Sequence, residues 1–335
     1  MKEAKNFVTR FAPSPNGWLH LGHAYSALMA AKAAQHAGGT FLLRIEDIDI
    51  GRARPHFVEG IYQDLEWLGL DWPEPVMMQS ARFEVYENAL AALRARELVY
   101  PCWATRGDIL AAIENKKDWP RDPDGAPLYP GLYRDLPESQ RKQLMWEGKP
   151  YCWRLDMAKA LSLVSEKLSY KERHGQLETQ PDTQPKPVSL DPSLFGDVVL
   201  ARKDVPTSYH LAVVLDDAAQ GVSQVTRGQD LQAATAIHVL LQKLLDLPQP
   251  DYLHHPLVRD VTGRRLSKQA GDNGFRNLRQ EGMSASDVMA LLPPPFGQGW
   301  LGARLGACLT RGAPCGVIAP PLNLPMRQKT IISRP

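Results

Sequence analysis

Residues 10–27 read RFAPSPNGWLHLGHAYSA. The stretch leaves a short β-like run, FVTRFAP at 7–13, and is broken by Pro13 and Pro15. It then passes through His20-Leu21-Gly22-His23 into an alanine-rich segment, 22–38, with helical content and a stop at Gly38-Gly39. Packing gives no strong reason for two histidines around a glycine at a strand-to-helix junction. Phosphate chemistry gives one. Glycine lets a nucleotide approach the backbone closely. The helix start supplies N–H donors and the positive end of the dipole. The histidines can donate hydrogen bonds to a phosphate as charge builds on it. Standing alone, H-x-G-H fits equally well two ordinary histidines at a helix start.

Outward from this stretch, TFLLRIED at 40–47 reads as a buried strand. FVEGIYQDLEWLGL at 57–70 has apolar residues at helical spacing. The β-α-β-α order predicts an α/β domain with a parallel sheet. In such sheets ligands sit at the carboxyl ends of strands, where RFAPS and RIEDID fall.

From about Tyr100 the texture changes. KKDWPRDPDGAPLYPGLYRDLPESQ (116–140) and ERHGQLETQPDTQPKPVSLDPS (172–193) are rich in Pro, Gly and charge, so residues 99–195 read as an insertion with irregular structure. The α/β texture then returns. SYHLAVVLDD (208–217) reads as a strand, QVTRG (224–228) as another, 230–247 as a helix and YLHHPLV (252–258) as a strand. The expected division is therefore 1–98, first half of the catalytic domain; 99–195, an insertion; 196–270, the second half; and 271–335, a short helical segment with a Gly- and Pro-rich tail.

The chain has 335 residues, 44% hydrophobic and 23% charged, enough for a real core. A net charge of +2 neither demands nor excludes a nucleic-acid partner, since a local basic patch would suffice. The cysteines, at 102, 152, 308 and 315, form no C-x-x-C pair, and reduced thiols are expected. No secretory signal and no bilayer-spanning apolar run is visible, which points to a soluble, cytoplasmic protein.

Two further groups carry chemistry. TGRRLSKQ (262–269) places Arg264, Arg265 and Lys268 around Ser267 in a glycine-started loop that could close over a polyphosphate; a solvated basic turn is the plainer alternative. Arg10, Glu46, Tyr209 and Arg227 lie near expected strand ends. Two guanidiniums can hold two carboxylates by bidentate hydrogen bonds, one carboxylate can hold an ammonium, and a phenol can orient either group. Together they would suit an acidic amino acid, although the residues alone do not single out these four.

With these residues in view, the chain resembles the class I aminoacyl-tRNA synthetases of the glutamyl type. HLGH is similar to that class's His-Ile-Gly-His signature, and RLSKQ to its Lys-Met-Ser-Lys-Ser loop. The resemblance runs over roughly residues 7–290 through several ordered motifs. It is greatest to the branch that glutamylates queuosine in tRNA(Asp). The signature loop reads LSKQ where ordinary glutamyl enzymes usually have LSKR, Ile48 stands where they usually have threonine, and the sequence leaves no room for their helical anticodon-binding region. The resemblance implies a Rossmann-type parallel-sheet catalytic domain split by an insertion of the acceptor type and followed by a short helical segment. It implies L-glutamate and ATP, with Mg2+, as substrates, tRNA(Asp) carrying queuosine as acceptor, and a monomer. Glutamate would be bound by Arg10, Phe11, Ala12, Pro13, Ser14, Glu46, Tyr209 and Arg227. ATP would meet His20, Gly22, His23 and Lys268, of which His20, His23 and Lys268 are the catalytic set. Which arginine takes which carboxylate stays open.

One departure stands out. Many members bind zinc in the insertion through Cys-x-Cys and Tyr-x-x-x-Cys. Here Cys102 and Tyr129 match, but Ala104 and Tyr133 replace the other two cysteines. Two such ligands do not make a closed four-coordinate site, so zinc is not expected. The competing functional readings are a short glutamyl-tRNA synthetase charging a 3′ end, a small-molecule nucleotidyltransferase, and a non-enzymatic tRNA-binding remnant.

Overall fold

The computed structural model of the protein describes residues 7–173, 185–259, 274–293 and 295–296. Its strands are β1 (Val8–Phe11), β2 (Thr40–Ile45), β3 (Met77–Met78), β4 (Val99–Cys102), β5 (Cys152–Leu155), β6 (Ser169–Glu172), β7 (Lys186–Ser189), β8 (Val199–Ala201), β9 (Gln224–Gly228) and β10 (Asp251–His255). Its helices are α1 (Leu21–His36), α2 (Pro55–Trp67), α3 (Phe83–Ala95), α4 (Arg106–Ile113), α5 (Glu138–Trp146), α6 (Met157–Ser162), α7 (Tyr209–Ala219), α8 (Thr235–Leu244), α9 (Phe275–Gln280) and α10 (Ala285–Leu291).

β1, β2 and β3 form one parallel sheet, and β9, β10 and β6 pair in parallel in a second, with β7 antiparallel at its edge. The two meet at β1 and β9, where the Ser223 amide donates to the Val8 carbonyl at 3.0 Å and the Val8 amide to Ser223 Oγ at 2.9 Å. The combined order, β3-β2-β1-β9-β10-β6-β7, is a Rossmann-like sheet that reverses direction of growth between β1 and β9. The crevice beyond the carboxyl ends of those two strands is the place for a ligand. α1 packs against β1, β2 and β9 and ends where Gly38 takes a left-handed conformation (φ 59°), with the Gly39 amide donating back to the Ala34 carbonyl at 2.8 Å.

Residues 208–217, which the apolar run LAVVL made a strand by sequence, are instead in α7. Ser208 caps the helix, its side chain accepting from the Leu211 amide. Leu211, Ala212, Val213 and Val214 are all buried, so polar alternation on an outer face never develops and periodicity carries no signal. The insertion is also more regular than its composition suggests. β4, β5 and β8 make an antiparallel sheet whose last strand lies beyond residue 195. β6, from the stretch read as irregular, joins the parallel sheet with Glu172 opposite Tyr252. Among the described residues no helix is long and apolar enough to cross a membrane.

Asp216 in α7 ties down α3 and the residues just before it. Its buried carboxylate accepts from Gln79 Nε2 at 2.8 Å, Arg82 Nε at 2.7 Å and the Tyr86 hydroxyl at 2.8 Å. Asp216→Ala would leave a guanidinium and two neutral donors facing a hole. Breaking a buried charge pair from one side costs about 3–5 kcal/mol, so chemical denaturation of this variant should show a loss of that order. A loss under about 1 kcal/mol, the size of an exposed pair, would show that the clamp is not structural.

Candidate active site

At the switch point lies a cavity of about 490 Å³. Arg10, Phe11, Ala12, Pro13 and Ser14, from β1 and the turn after it, line it together with Glu46 after β2, Tyr209 at the start of α7 and Arg227 in β9. His20, Gly22 and His23 line it from the start of α1. Residues drawn from four separate stretches of sequence are thus brought into one chamber. Lys268, Arg264, Arg265 and Ser267 lie outside the described residues. The residues flanking that stretch do reach the cavity: Val258 lines it, and Gly274 bridges to His20.

Arg10 is held more tightly than the sequence suggests. Its Nε and Nη2 donate to the two oxygens of Asp217 at 2.9 and 3.2 Å, so this edge of the guanidinium is occupied, and the Nη1 hydrogens with the second Nη2 hydrogen form the edge left to offer. Arg44, fully buried, donates from Nη1 to Asp217 at 2.8 Å and from Nη2 to Glu46 at 3.4 Å. Burial alone would push the Asp217 carboxyl up; Arg10 and Arg44 outweigh it and hold it below its ordinary range. For Glu46, burial prevails over the pull of Arg44 and Arg10, and its carboxyl is raised. The Glu46 amide donates to the Pro13 carbonyl at 3.0 Å, which fixes the β2 turn against the β1 turn. Arg44 and Asp217 were missed by sequence reasoning, although a charged residue inside each apolar run was the signal available.

Arg227 contrasts with Arg10. Its Nε donates to His254 Nε2 at 3.2 Å, Nη2 to Thr235 Oγ1 at 2.7 Å, and Nη1 to the Tyr209 hydroxyl at 3.3 Å and to His238 Nδ1 at 3.0 Å. Among the described residues every direct partner is neutral, so a buried cation faces the cavity with no carboxylate among those partners. Arginine only donates, so both histidines must accept from it. His254 therefore carries its proton on Nδ1, which donates to Glu172 Oε2 at 2.7 Å. Burial, then the nearby Arg227, push the His238 imidazole well below its ordinary value, and burial is the first cause for His254 too, against the opposing pull of Glu172. Glu172 reaches the site only because β6 joins the sheet.

His20 caps α1. Its Nδ1 accepts from the Gly22 amide at 3.1 Å, and His23 Nδ1 accepts from the His20 amide at 3.1 Å. With both Nδ1 atoms accepting, each neutral ring holds its proton at Nε2 as a donor. The rings lie 3.8 Å apart. A Cβ at Gly22 would come within 3.0 Å of the His20 ring, which explains the glycine between them. Such a pair of fixed donors at a helix start suits a phosphate.

In the insertion, Cys102 and Cys152 are opposite one another across β4 and β5. Cys102 Sγ lies 3.3 Å from the Tyr129 hydroxyl, and Arg154 stacks over the Tyr129 ring at 4.1 Å. Trp103 packs on Tyr133 at 5.5 Å between ring centres. Among the described residues no group of three or more His, Cys, Asp or Glu side chains could hold a metal ion.

The family model for the class I tRNA synthetase (E and Q) catalytic domain matches residues 6–290. A protein of Rhodobacter capsulatus described as Glutamyl-Q tRNA(Asp) synthetase is 46% identical over 286 residues, covering 85% of this chain and 99% of that one. One of the same description from Nocardia farcinica is 40% identical over 288 residues, covering 86% and 84%. Among solved structures, glutamate-tRNA synthetase from Elizabethkingia anophelis superposes with a TM-score of 0.64 at 29% identity, over 80% of this chain and 53% of that one. The chain thus spans about half the length of that synthetase.

Removing the Arg227 guanidinium strips the cavity of its uncompensated cation. Losing a buried, hydrogen-bonded charge partner costs about 2–5 kcal/mol, so Arg227→Ala should lower kcat/KM for an acidic substrate at least 30-fold without creating use of the neutral amide. Efficient glutamine activation by this variant would defeat the assignment. The neutral histidines also set a pH dependence. Burial and Arg227 hold His210, which contacts His238, down at about 4 against an ordinary 6.5. Between those values the unfolded chain takes up protons that the folded one refuses, so stability falls as pH drops from about 6.5 toward 4 and is level just above it. Thermal midpoints measured from pH 8 to 4.5 check this; a midpoint that rises on acidification through that window would contradict it.

Proposed function

The chain belongs to the class I tRNA synthetase (E and Q) catalytic-domain family, and from that premise we propose that it is an ATP-dependent ligase that activates L-glutamate and transfers it to queuosine in the anticodon loop of tRNA(Asp). The observation that carries the glutamate half is the buried Arg227, whose direct partners are all neutral, set in one cavity with Arg10, Glu46 and Tyr209. One carboxylate of glutamate meets Arg227, and Glu46 takes the ammonium. The relatives' description as Glutamyl-Q tRNA(Asp) synthetases, over most of their length, supports the acceptor.

In the first step a glutamate α-carboxylate oxygen attacks the α-phosphorus of ATP, and pyrophosphate leaves with the electron pair of the broken P–O bond. The Nε2–H donors of His20 and His23 and the amides at the start of α1 stabilise charge on the phosphate as that bond changes. Lys268, whose flanking residues reach the cavity, is proposed to meet the same phosphates, with Mg2+ arriving on ATP. In the second step a hydroxyl of queuosine attacks the glutamyl carbonyl carbon, AMP departs, and the hydroxyl proton leaves with it. The protein acts as a monomer in the cytoplasm.

Glutamate activation should proceed without RNA, because the residues assigned to glutamate and ATP all lie in the two halves of the catalytic domain. Glutamate-dependent exchange of pyrophosphate into ATP should appear in the absence of tRNA. Labelled glutamate should then pass to tRNA(Asp) bearing queuosine and not to the same tRNA with guanosine. Exchange that requires tRNA, or charging of unmodified tRNA(Glu), would instead favour a short glutamyl-tRNA synthetase.

A further inference from the structure

Ser14, Asn16, Glu46 and Tyr209, which line the glutamate cavity, also line a second and larger one of about 680 Å³. Its far wall belongs to the insertion, with Arg106, Leu110, Asp124 and Arg154. His20, Gly22, His23 and Arg227 line the first cavity and not the second. A molecule in the second cavity therefore meets the amino-acid end of the chamber and stays clear of the phosphate end. A nucleophile needs that approach, since it must reach the glutamyl carbonyl while the adenylate fills the other side. Its volume lies in the range of cavities that hold small organic ligands, and its walls mix both charges with apolar surface.

His210 gives this cavity a directed polar group. Arg227 can only donate to His238 Nδ1, at 3.0 Å, so the proton of neutral His238 is on Nε2. That proton points to His210 Nδ1, at 3.2 Å. Neutral His210 must then carry its own proton on Nε2. Protonating His210 would set two N–H groups against each other, in agreement with the depression of its titration by burial and by Arg227. The ring lines the second cavity. Among the described residues, its Nε2–H has no hydrogen-bond partner. A file of two imidazoles thus runs from the arginine proposed to bind glutamate to a fixed donor on the wall of the neighbouring chamber.

We propose that the second cavity seats the acceptor nucleoside during glutamyl transfer, and that His210 is the residue that positions it, donating from Nε2 to an oxygen of the nucleoside beside the attacking hydroxyl. Queuosine offers such an oxygen, because its cyclopentene ring carries two neighbouring hydroxyls: one attacks, and the other accepts from His210. The inference rests on the glutamyl-Q reading given above.

The test uses the full chain with ATP, glutamate and queuosine-bearing tRNA(Asp), and compares pyrophosphate exchange with glutamyl transfer. Leu110, 57% exposed on α4, is a wall residue of the second cavity alone. Leu110→Trp should leave exchange within twofold of wild type, which also reports that the protein is folded, and should cut kcat/KM for transfer at least tenfold. His210→Phe keeps a ring but removes the donor, and transfer should fall at least tenfold beyond any change in exchange. His210→Gln, which restores an N–H, should recover part of that loss. Undiminished transfer by Leu110→Trp would overturn the cavity assignment. Equal losses in exchange and transfer for His210→Phe would mean that the residue acts only through His238 and Arg227. A wild-type protein that exchanges pyrophosphate but transfers nothing to this tRNA would overturn the acceptor reading itself, a result obtained before any variant is made.

Discussion

Asp217 lies between two buried guanidiniums, and the geometry of the candidate site depends on it. It comes from α7; Arg10 comes from β1 and Arg44 from β2. The carboxylate therefore joins two neighbouring strands of the first sheet, β1 and β2, to the helix that begins with Tyr209. Three buried charges would be prohibitive separately, since each loses its hydration. Together with Glu46 they form a compact set of two cations and two anions, with Arg44 contacting both carboxylates. This balance orients Arg10 and leaves only part of its guanidinium for a ligand.

Arg227 completes the logic from the other side of the switch point. Its neighbours satisfy its hydrogen bonds without neutralising its charge. Neutral imidazoles are suited to this, because each accepts on one nitrogen and passes a donor onward from the other. His254 passes it to Glu172, and His238 passes it to His210. The charge stays available to an anionic ligand while the guanidinium is held in one orientation. A carboxylate would match this charge and accept with both oxygens, whereas a carboxamide carries no charge and presents an NH2 that a donor-only guanidinium cannot pair.

In the insertion, the side chains at the positions that match the zinc pattern pack against one another. Cys102 and Tyr129, at the positions that match the zinc pattern, contact one another, and Ala104 and Tyr133 occupy the positions of the missing thiols. Cys152 arrives across the antiparallel pair. Tyr100, Cys102, Ala104, Tyr129 and Cys152 form a small apolar cluster of their own. Arg154 covers it on one side and lines the second cavity, so this packing also shapes the wall that faces the catalytic halves.

What could be read from sequence was whatever depends on neighbours along the chain. β1, α1, β2, α2, β9, α8 and β10 were legible because each has a local period or a clear stop, such as Gly38 after α1. The histidine pair was legible because the cap is made within four residues. The residues that the resemblance suggests for glutamate line one cavity. The tertiary structure alone decided the rest. α7 reads as a strand because burial on all sides erases its period. Glu172 acts at the site only because β6 crosses to the parallel sheet, and Asp217 and Arg44 matter only because distant segments converge on them. Charge balance inside a protein is a property of three-dimensional neighbours, and separations of 207 residues, as between Arg10 and Asp217, leave no pattern in the order of the chain.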